Sequence, residues 1–400
     1  MIELDPPTLA RLLGRPVRPV LTDDVREALR GRAVLITGAG GSIGSELTRQ
    51  VAACAPRALT LCDQSEYHLF HLDADIRASH PALVVHPVLG DVTRPSDLHA
   101  AFACERPDIV LHAAAYKHVT MAERAIVAAA RVNVLGTAAV RDAARRAGAH
   151  LVLVSTDKAA EPASVMGATK RLAELLVLAD GTGASVVRFG NVLGSRGSVL
   201  EVMLNAARRA EPIPVTDPGA TRYFMTASEA VSLVLTAGCA RGSGNVFWVD
   251  MGEPMRIGDL AARVEQWTRA QGFRPAGMRI IGLRAGEKRD EQLTTHGLEM
   301  TSTGNPHVWA ARQPAINHIA LAAAMNALRT AVARGDAAGV LEALVDGVPD
   351  FIPAADTCAR VLPTAATTSD VVGMRVPETL IGVSRPDRHG AAESPRLEAA

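Results

Sequence analysis

The sequence has no surplus of charge, few aromatic residues, few cysteines and no long apolar run, and each shortage excludes a class of function. The 42 Lys and Arg residues balance 42 Asp and Glu, so the formal net charge is zero. That balance argues against sequence-independent binding to nucleic acid or to an anionic membrane. Aromatic residues make up 3% of the chain, too few for a stacking platform for bases. The five cysteines, Cys54, Cys62, Cys104, Cys239 and Cys358, are scattered and form no Cys-x-x-Cys pair. Neither a disulfide framework nor a zinc site is expected, and free thiols in a reducing compartment are the plain reading. The 12 histidines contain no His-x-x-x-His pair and do not cluster with cysteine, so no metal is expected. No stretch reaches the roughly 18 apolar residues of a spanning helix. The acidic start, Met1-Ile2-Glu3-Leu4-Asp5, lacks a signal-peptide pattern. These absences together read as a soluble, cytoplasmic protein with no membrane span.

What is present is globular. Hydrophobic residues are 48% and charged residues 21% of 400 residues, enough to bury a large core. Residues 1–31 read as a helical preface. From Ala33, short apolar runs alternate with helical stretches: Val34-Leu35-Ile36, Leu59 to Cys62, Val84-Val85, Ile109 to Leu111, Leu151 to Val154 and Val186 to Phe189. Helices are expected at 66–78, 95–104, 128–147 and 164–179. Such alternation means βαβ units, and hence an α/β fold with a doubly wound parallel sheet. We expect a dinucleotide-binding Rossmann domain over 32–190. A smaller substrate-binding lobe over 191–353 follows, with interleaved elements, helices at 228–240 and 257–270, and two C-terminal helices broken near Gly335-Asp336. Residues 354–400 carry no period and read as a disordered tail.

Gly38, Gly41 and Gly44 fall between an expected strand and an expected helix, with Ser42 and Ile43 opening the helix. Glycines there let the backbone turn tightly and approach a pyrophosphate, whose charge a helix N-terminus favours. Asp63 ends the second strand, 19 positions after Gly44. A carboxylate so placed accepts from the adenosine ribose and repels a 2′-phosphate, which favours NAD over NADP. Asp91 and Val92 follow the third strand and are assigned to the adenine edge, or else to a helix cap near Ser96. Ala113, Ala114 and Ala115 end the fourth strand with side chains small enough for a cofactor to lie against the backbone.

Thr156-Asp157-Lys158 follows the fifth strand, at the sheet edge where ligands bind in this architecture. A hydroxyl, a carboxylate and an amine on consecutive residues can run an elimination. Met166 and Lys170 are four apart and share one helix face. In short-chain dehydrogenases that place holds Tyr-x-x-x-Lys, whose tyrosine moves a proton; methionine cannot.

Further segments carry a resemblance. Thr37 to Gly44, Ala115-Tyr116-Lys117-His118-Val119, Ser155 to Ala159, Val165 to Arg171, Arg188 to Ser198, Thr221 to Thr226 and Gly282 to Lys288 resemble the CapD-like polysaccharide-biosynthesis branch of the extended short-chain dehydrogenases. That branch includes UDP-N-acetylglucosamine 4,6-dehydratases, and the resemblance spans about residues 3–353. In it methionine commonly occupies the tyrosine position. The resemblance implies oxidation at sugar C4, loss of water across C5 and C6, and reduction at C6, with NAD as cofactor. Thr156 handles the 4-hydroxyl proton, Lys158 takes the C5 proton, Asp157 protonates the departing 6-hydroxyl, and Lys170 holds the nicotinamide ribose beside Met166. Asn191, Arg222 and the loop of Arg284, Glu287 and Lys288 are assigned to the nucleotide diphosphate. Lys117 and His118 are assigned to the sugar, and Ser198 and Val199 also to substrate. A UDP-linked N-acetylhexosamine, retention at C5 and a homo-oligomer are expected.

Ala285 stands in place of the family's proline, Asp290 in place of an aromatic or Leu-like residue, and Thr120 in place of a proline. The N-terminal membrane region of many relatives is not seen. Two other functions are open to such a fold: a nucleotide-sugar 4-epimerase, opposed by the missing tyrosine and the available Asp157 and Lys158 pair, and a non-catalytic NAD-binding regulatory protein, opposed by the intact Thr156, Asp157, Lys158 and Lys170.

Overall fold

The computed structural model describes residues 4–17, 21–179, 181, 183–239, 244–249, 251–292, 294, 300–303 and 308–362. Its centre is a nine-stranded sheet. Six strands come from the first half: β1 (Ala33–Thr37), β2 (Ala58–Asp63), β3 (Val84–Leu89), β4 (Ile109–His112), β5 (His150–Val154) and β6 (Ala184–Arg188). Across the sheet the order is β3, β2, β1, β4, β5, β6, then Asn245–Val249, Val308–Arg312 and Met300–Ser302. The first seven run parallel, with Val34 beside both Leu59 and Ile109. The last two are antiparallel additions. No strand was expected at 300–302 or 308–312.

Burial explains the parallel core. Every residue of β1 and β2 is buried, as a strand covered by helices on both faces requires, whereas β3, at the edge, is only partly covered. Val34 and Ile36 point to one face, with Leu47 and Val51 of the helix Ser42–Ala52 and Val231 and Val234 of Ala227–Cys239. Leu35 points to the other, with Leu98, Val140, Ala173 and Val177. Each such fully buried aliphatic side chain contributes about 1.5–3 kcal/mol.

The helix Val165–Leu178 is buried at all 14 positions. It lies between the sheet and the C-terminal pair His318–Arg334 and Ala337–Gly347, which supply Leu321, Met325, Leu328, Leu341 and Leu344. The pair breaks at Gly335, whose φ of 70° is left-handed, and Asp336 caps the second helix through Gly339 N. The expected helix 128–147 is instead Ile126–Ala130, a π-helical turn Arg131–Gly136, and Thr137–Ala147.

A smaller core joins Leu12 and Leu13 to Leu200, Leu204, Ile213, Leu260 and Val264. The preface therefore divides: the helix Pro6–Leu13 belongs to this lobe, and Asp23–Leu29 packs Val25 and Leu29 against the main sheet's helices. A helix at Ala355–Val361, with Thr357 and Cys358 buried, corrects the disordered tail expected from residue 354. Thr357 Oγ1 donates to the buried Glu123, which supplies the burial that composition alone did not show. Residues 363–400 lie outside the described residues. Among the described residues, no helix is long and apolar enough to cross a membrane.

Candidate active site

The strand order reverses between β1 and β4, and in doubly wound sheets the crevice at that reversal is where ligands bind. Gly38, Gly41, Asp63, Asp91, Val92 and Ala113 to Ala115 line one cleft there. Two glycines are demanded by space. A Cβ on Gly38, whose φ is +69°, would sit 2.6 Å from Ala114 N, and one on Gly44 would sit 2.0 Å from Gly38 O. Gly41 caps the helix Ser42–Ala52, so its free N–H groups point at the cleft. Ile43 packs against the core below, and Ser42 Oγ accepts from Arg196 N at 3.1 Å. The Arg196 guanidinium reaches His68 and Gly40 O, a cross-connection that sequence did not suggest.

Asp63 accepts from Gly40 N and Ser65 N, both at 2.8 Å. A carboxylate has lone pairs for ribose hydroxyls besides. Asp91 Oδ1 accepts from Thr93 N at 2.8 Å, so it shapes its own turn while lining the cleft. A backbone cradle at a helix N-terminus with a carboxylate at the second strand fits a dinucleotide.

β5 delivers the reactive trio. Thr156 opens the single turn Asp157–Ala159. Its Oγ1 donates to Asp157 Oδ1 at 2.9 Å, and Lys158 Nζ donates to the same oxygen at 3.0 Å and to Asn191 Oδ1 at 3.1 Å. Asp157 is fully buried, and its Oδ2 has no hydrogen-bond partner. A second carboxylate, Glu291, stands 3.5 Å from Lys158 Nζ. Burial disfavours the Lys158 ammonium, but Asp157 and Glu291 outweigh it and hold its pKa above the usual lysine value.

Lys170 Nζ donates to Val154 O at 2.7 Å, and burial brings its pKa down to about 8 against the pull of Glu174. Met166, one turn earlier, is buried among Ala122, Leu321 and other apolar side chains and has no proton to give. Behind the trio, Ser155 Oγ donates to Glu174 Oε1 at 2.6 Å, and Glu174 is held by Arg188 and Arg171. Asn133, in the π-helical turn, exchanges hydrogen bonds with Tyr116 N and O and donates to Thr169 Oγ1, tying the β4 exit to the Lys170 helix.

The expected substrate residues divide into three groups. Asn191 joins the trio. Arg222 is buried, with its fork on the carbonyls of Thr221, Lys288 and Arg289, so here it shapes the 288–291 segment. Lys288 Nζ docks on Ala160 O at 2.9 Å, while Arg284 and Glu287 pair with each other at the surface. Lys117 donates to Ser195 Oγ at 3.3 Å, and Gly197 packs closely on the His118 ring. Ser198 caps the helix Val199–Arg208, with Val199 as its first residue. Among the described residues no cluster could hold a metal ion.

The chain is 39% identical over 290 residues to the probable polysaccharide biosynthesis protein EpsC of Bacillus subtilis, which covers 70% of this chain and 48% of that one. The chain thus spans about half the length of that relative. It is 31% identical over 271 residues to a UDP-N-acetylglucosamine 4,6-dehydratase (inverting) of Campylobacter jejuni, covering 65% of this chain and 77% of the relative. Pen from Bacillus thuringiensis superposes with a TM-score of 0.66 at 30% identity, over 72% of this chain and 89% of Pen. DesIV, a dTDP-glucose 4,6-dehydratase from Streptomyces venezuelae solved with NAD and TYD bound, shares the fold at TM-score 0.57 and 20% identity, over 66% of this chain and 88% of DesIV. Residues 34–313 match the family described as polysaccharide biosynthesis protein, and with the extended short-chain dehydrogenase fold around them the chain belongs to that family.

Proposed function

We propose that the chain is an NAD-dependent nucleotide-sugar 4,6-dehydratase acting on a UDP-linked N-acetylhexosamine, with UDP-N-acetylglucosamine as the substrate to test. The observation that carries this reading is the hydrogen-bonded trio at the end of β5, in which Thr156 and Lys158 both donate to Asp157 Oδ1. Bound NAD would supply reversible hydride transfer at C4 and C6 of the sugar. Gly38, Gly41 and Asp63 would hold it, and Lys170 would steady its nicotinamide ribose.

The proton traffic follows from the contacts. Met166 leaves Thr156 as the hydroxyl at the 4-hydroxyl group. Its hydrogen bond gives the 4-hydroxyl proton a route to Asp157, which then holds a proton for the departing 6-hydroxyl. Asp157 is fully buried, so water does not compete for that proton. The Lys158 amine removes the C5 proton, acidified by the 4-ketone, and returns it to C5. One amine working on one face gives retention at C5.

Mass spectrometry after incubation with UDP-N-acetylglucosamine tests the reading. Loss of one water supports it; an isomer of unchanged mass supports a 4-epimerase, and no turnover across nucleotide sugars defeats both. The C5–H coupling of the product, read by NMR, decides retention against inversion.

A further inference from the structure

Glu291 lies just beyond the Arg284–Lys288 loop, in a charged run that carries no motif. Its side chain is 3% exposed; Oε1 is 3.5 Å from Lys158 Nζ and 3.9 Å from Arg222 Nε. Its Oε2 is buried with no hydrogen-bond partner. A buried carboxylate must be compensated by a charge or by a ligand, and of the two cations within reach the nearer is the proposed base itself. We propose that Glu291 is a positioning residue which, with Asp157, clamps the Lys158 amine and keeps it an ammonium until substrate fills the pocket. The catalytic meaning of this clamp rests on the dehydratase reading above; the clamp itself is a property of the free protein.

The charges around Lys158 come from three elements. Asp157 contacts it from its own turn at 3.0 Å, Glu291 from the segment after the strand Met278–Ile280, and Arg222 from the short strand Thr221–Arg222. Lys288 is half-buried in the Glu291 segment, where it faces both carboxylates and Glu161, and Tyr223 faces Asp157. Asn191 adds a neutral oxygen. The two carboxylates outweigh Arg222 and burial, so the amine is protonated at rest. To act as a base it must first release that proton, and a sugar that displaces water removes solvation from the ammonium and so favours the neutral amine.

Sequence composition makes the test direct. Only four of the 42 basic residues are lysines, and Lys117, Lys158, Lys170 and Lys288 all lie at this site. Biosynthetic labelling with [13Cε]-lysine therefore gives four side-chain signals, assigned by single Lys→Arg variants and followed against pH in the free protein. In the wild type, Lys158 is expected to titrate above Lys170 and Lys288; titration with or below them overturns the clamp. Glu291→Gln should lower the Lys158 midpoint by about one pH unit, a tenfold loss of proton affinity. An unchanged midpoint, or an equal shift in the charge-keeping Glu291→Asp, overturns it. If Glu291→Gln does not fold, the wild-type order alone decides. In turnover, the acid limb of kcat/KM, which reports the free enzyme, should move to lower pH by the same amount in Glu291→Gln, whereas a purely structural role would lower kcat/KM without moving the limb. A wild type that dehydrates no nucleotide sugar defeats the proposed function, and the titration still judges the clamp.

Discussion

The Glu174 carboxylate lies 2.6 Å from the Arg188 guanidinium, and neither side chain reaches solvent. Burial pushes the Glu174 pKa up, but Arg188 and Arg171 overcome it and hold it at about 2. A carboxylate depressed in the fold adds stability above its unfolded pKa, and that stability is lost as pH falls from about 4.5 towards 2. Arg188→Met should cost about 3–5 kcal/mol, because it leaves a buried carboxylate with half its partners. Denaturant unfolding at pH 7 and pH 3 checks this: the deficit should shrink at the lower pH.

Lys158→Ala should still bind NAD and should lose product formation by about 10²–10⁴-fold, the usual scale for a positioned acid or base. Calorimetric titration with NAD and the product assay read the two effects separately. Near-normal turnover in this variant would remove Lys158 from the base role.

Gly44→Ala places a Cβ 2.0 Å from Gly38 O, against backbone that cannot swing aside. We expect a loss at or above the usual overpacking range of about 1–3 kcal/mol, with NAD binding abolished. Gly31 is the control. Its φ is left-handed, at +69°, unlike that of the helical Gly44, but nothing lies within 4 Å of an added Cβ, so Gly31→Ala should cost only about 1–2 kcal/mol from backbone strain and spare NAD. Thermal melts with and without NAD compare the pair.

Lys170 makes two opposite predictions on one pH axis. Its folded pKa, lowered to about 8 by burial, lies below the unfolded value of 10.5, so the fold disfavours its charge. Its contribution to stability therefore rises as pH increases from about 8 to 10.5. NAD affinity that depends on the ammonium should fall over the same range. In Lys170→Met, affinity should be weaker and lose this pH dependence, which titrations at pH 7 and pH 9 would show.

Much of this fold follows from local pattern. The helices Glu66–Ser79 and Pro95–Cys104 fall where periodicity places them, and the break at Gly335-Asp336 is written in a left-handed glycine and a capping aspartate. The glycine turn stands out because a buried strand, a helix and Asp63 frame it, and the trio because it follows a buried strand of the same sheet. The strands Met300–Ser302 and Val308–Arg312 were not, since they are short and exist by pairing with Asn245–Val249. Inside the helical run, the turn Arg131–Gly136 hides because its π-helical step leaves the apolar pattern intact. Glu291 was illegible for a different reason: Arg289-Asp290-Glu291 has the composition of a wet surface. What buries it is Lys158 and Arg222, brought from distant parts of the chain.

The helix Val165–Leu178, covered by residues 318–347, also has a consequence in time. A chain made from its N-terminus presents Met166, Leu172 and their apolar neighbours long before the covering helices leave the ribosome. Until then that helix keeps a bare apolar flank. The cover on that flank therefore arrives only with residues 318–347. A nascent chain stalled before residue 318 should expose that flank to chaperones.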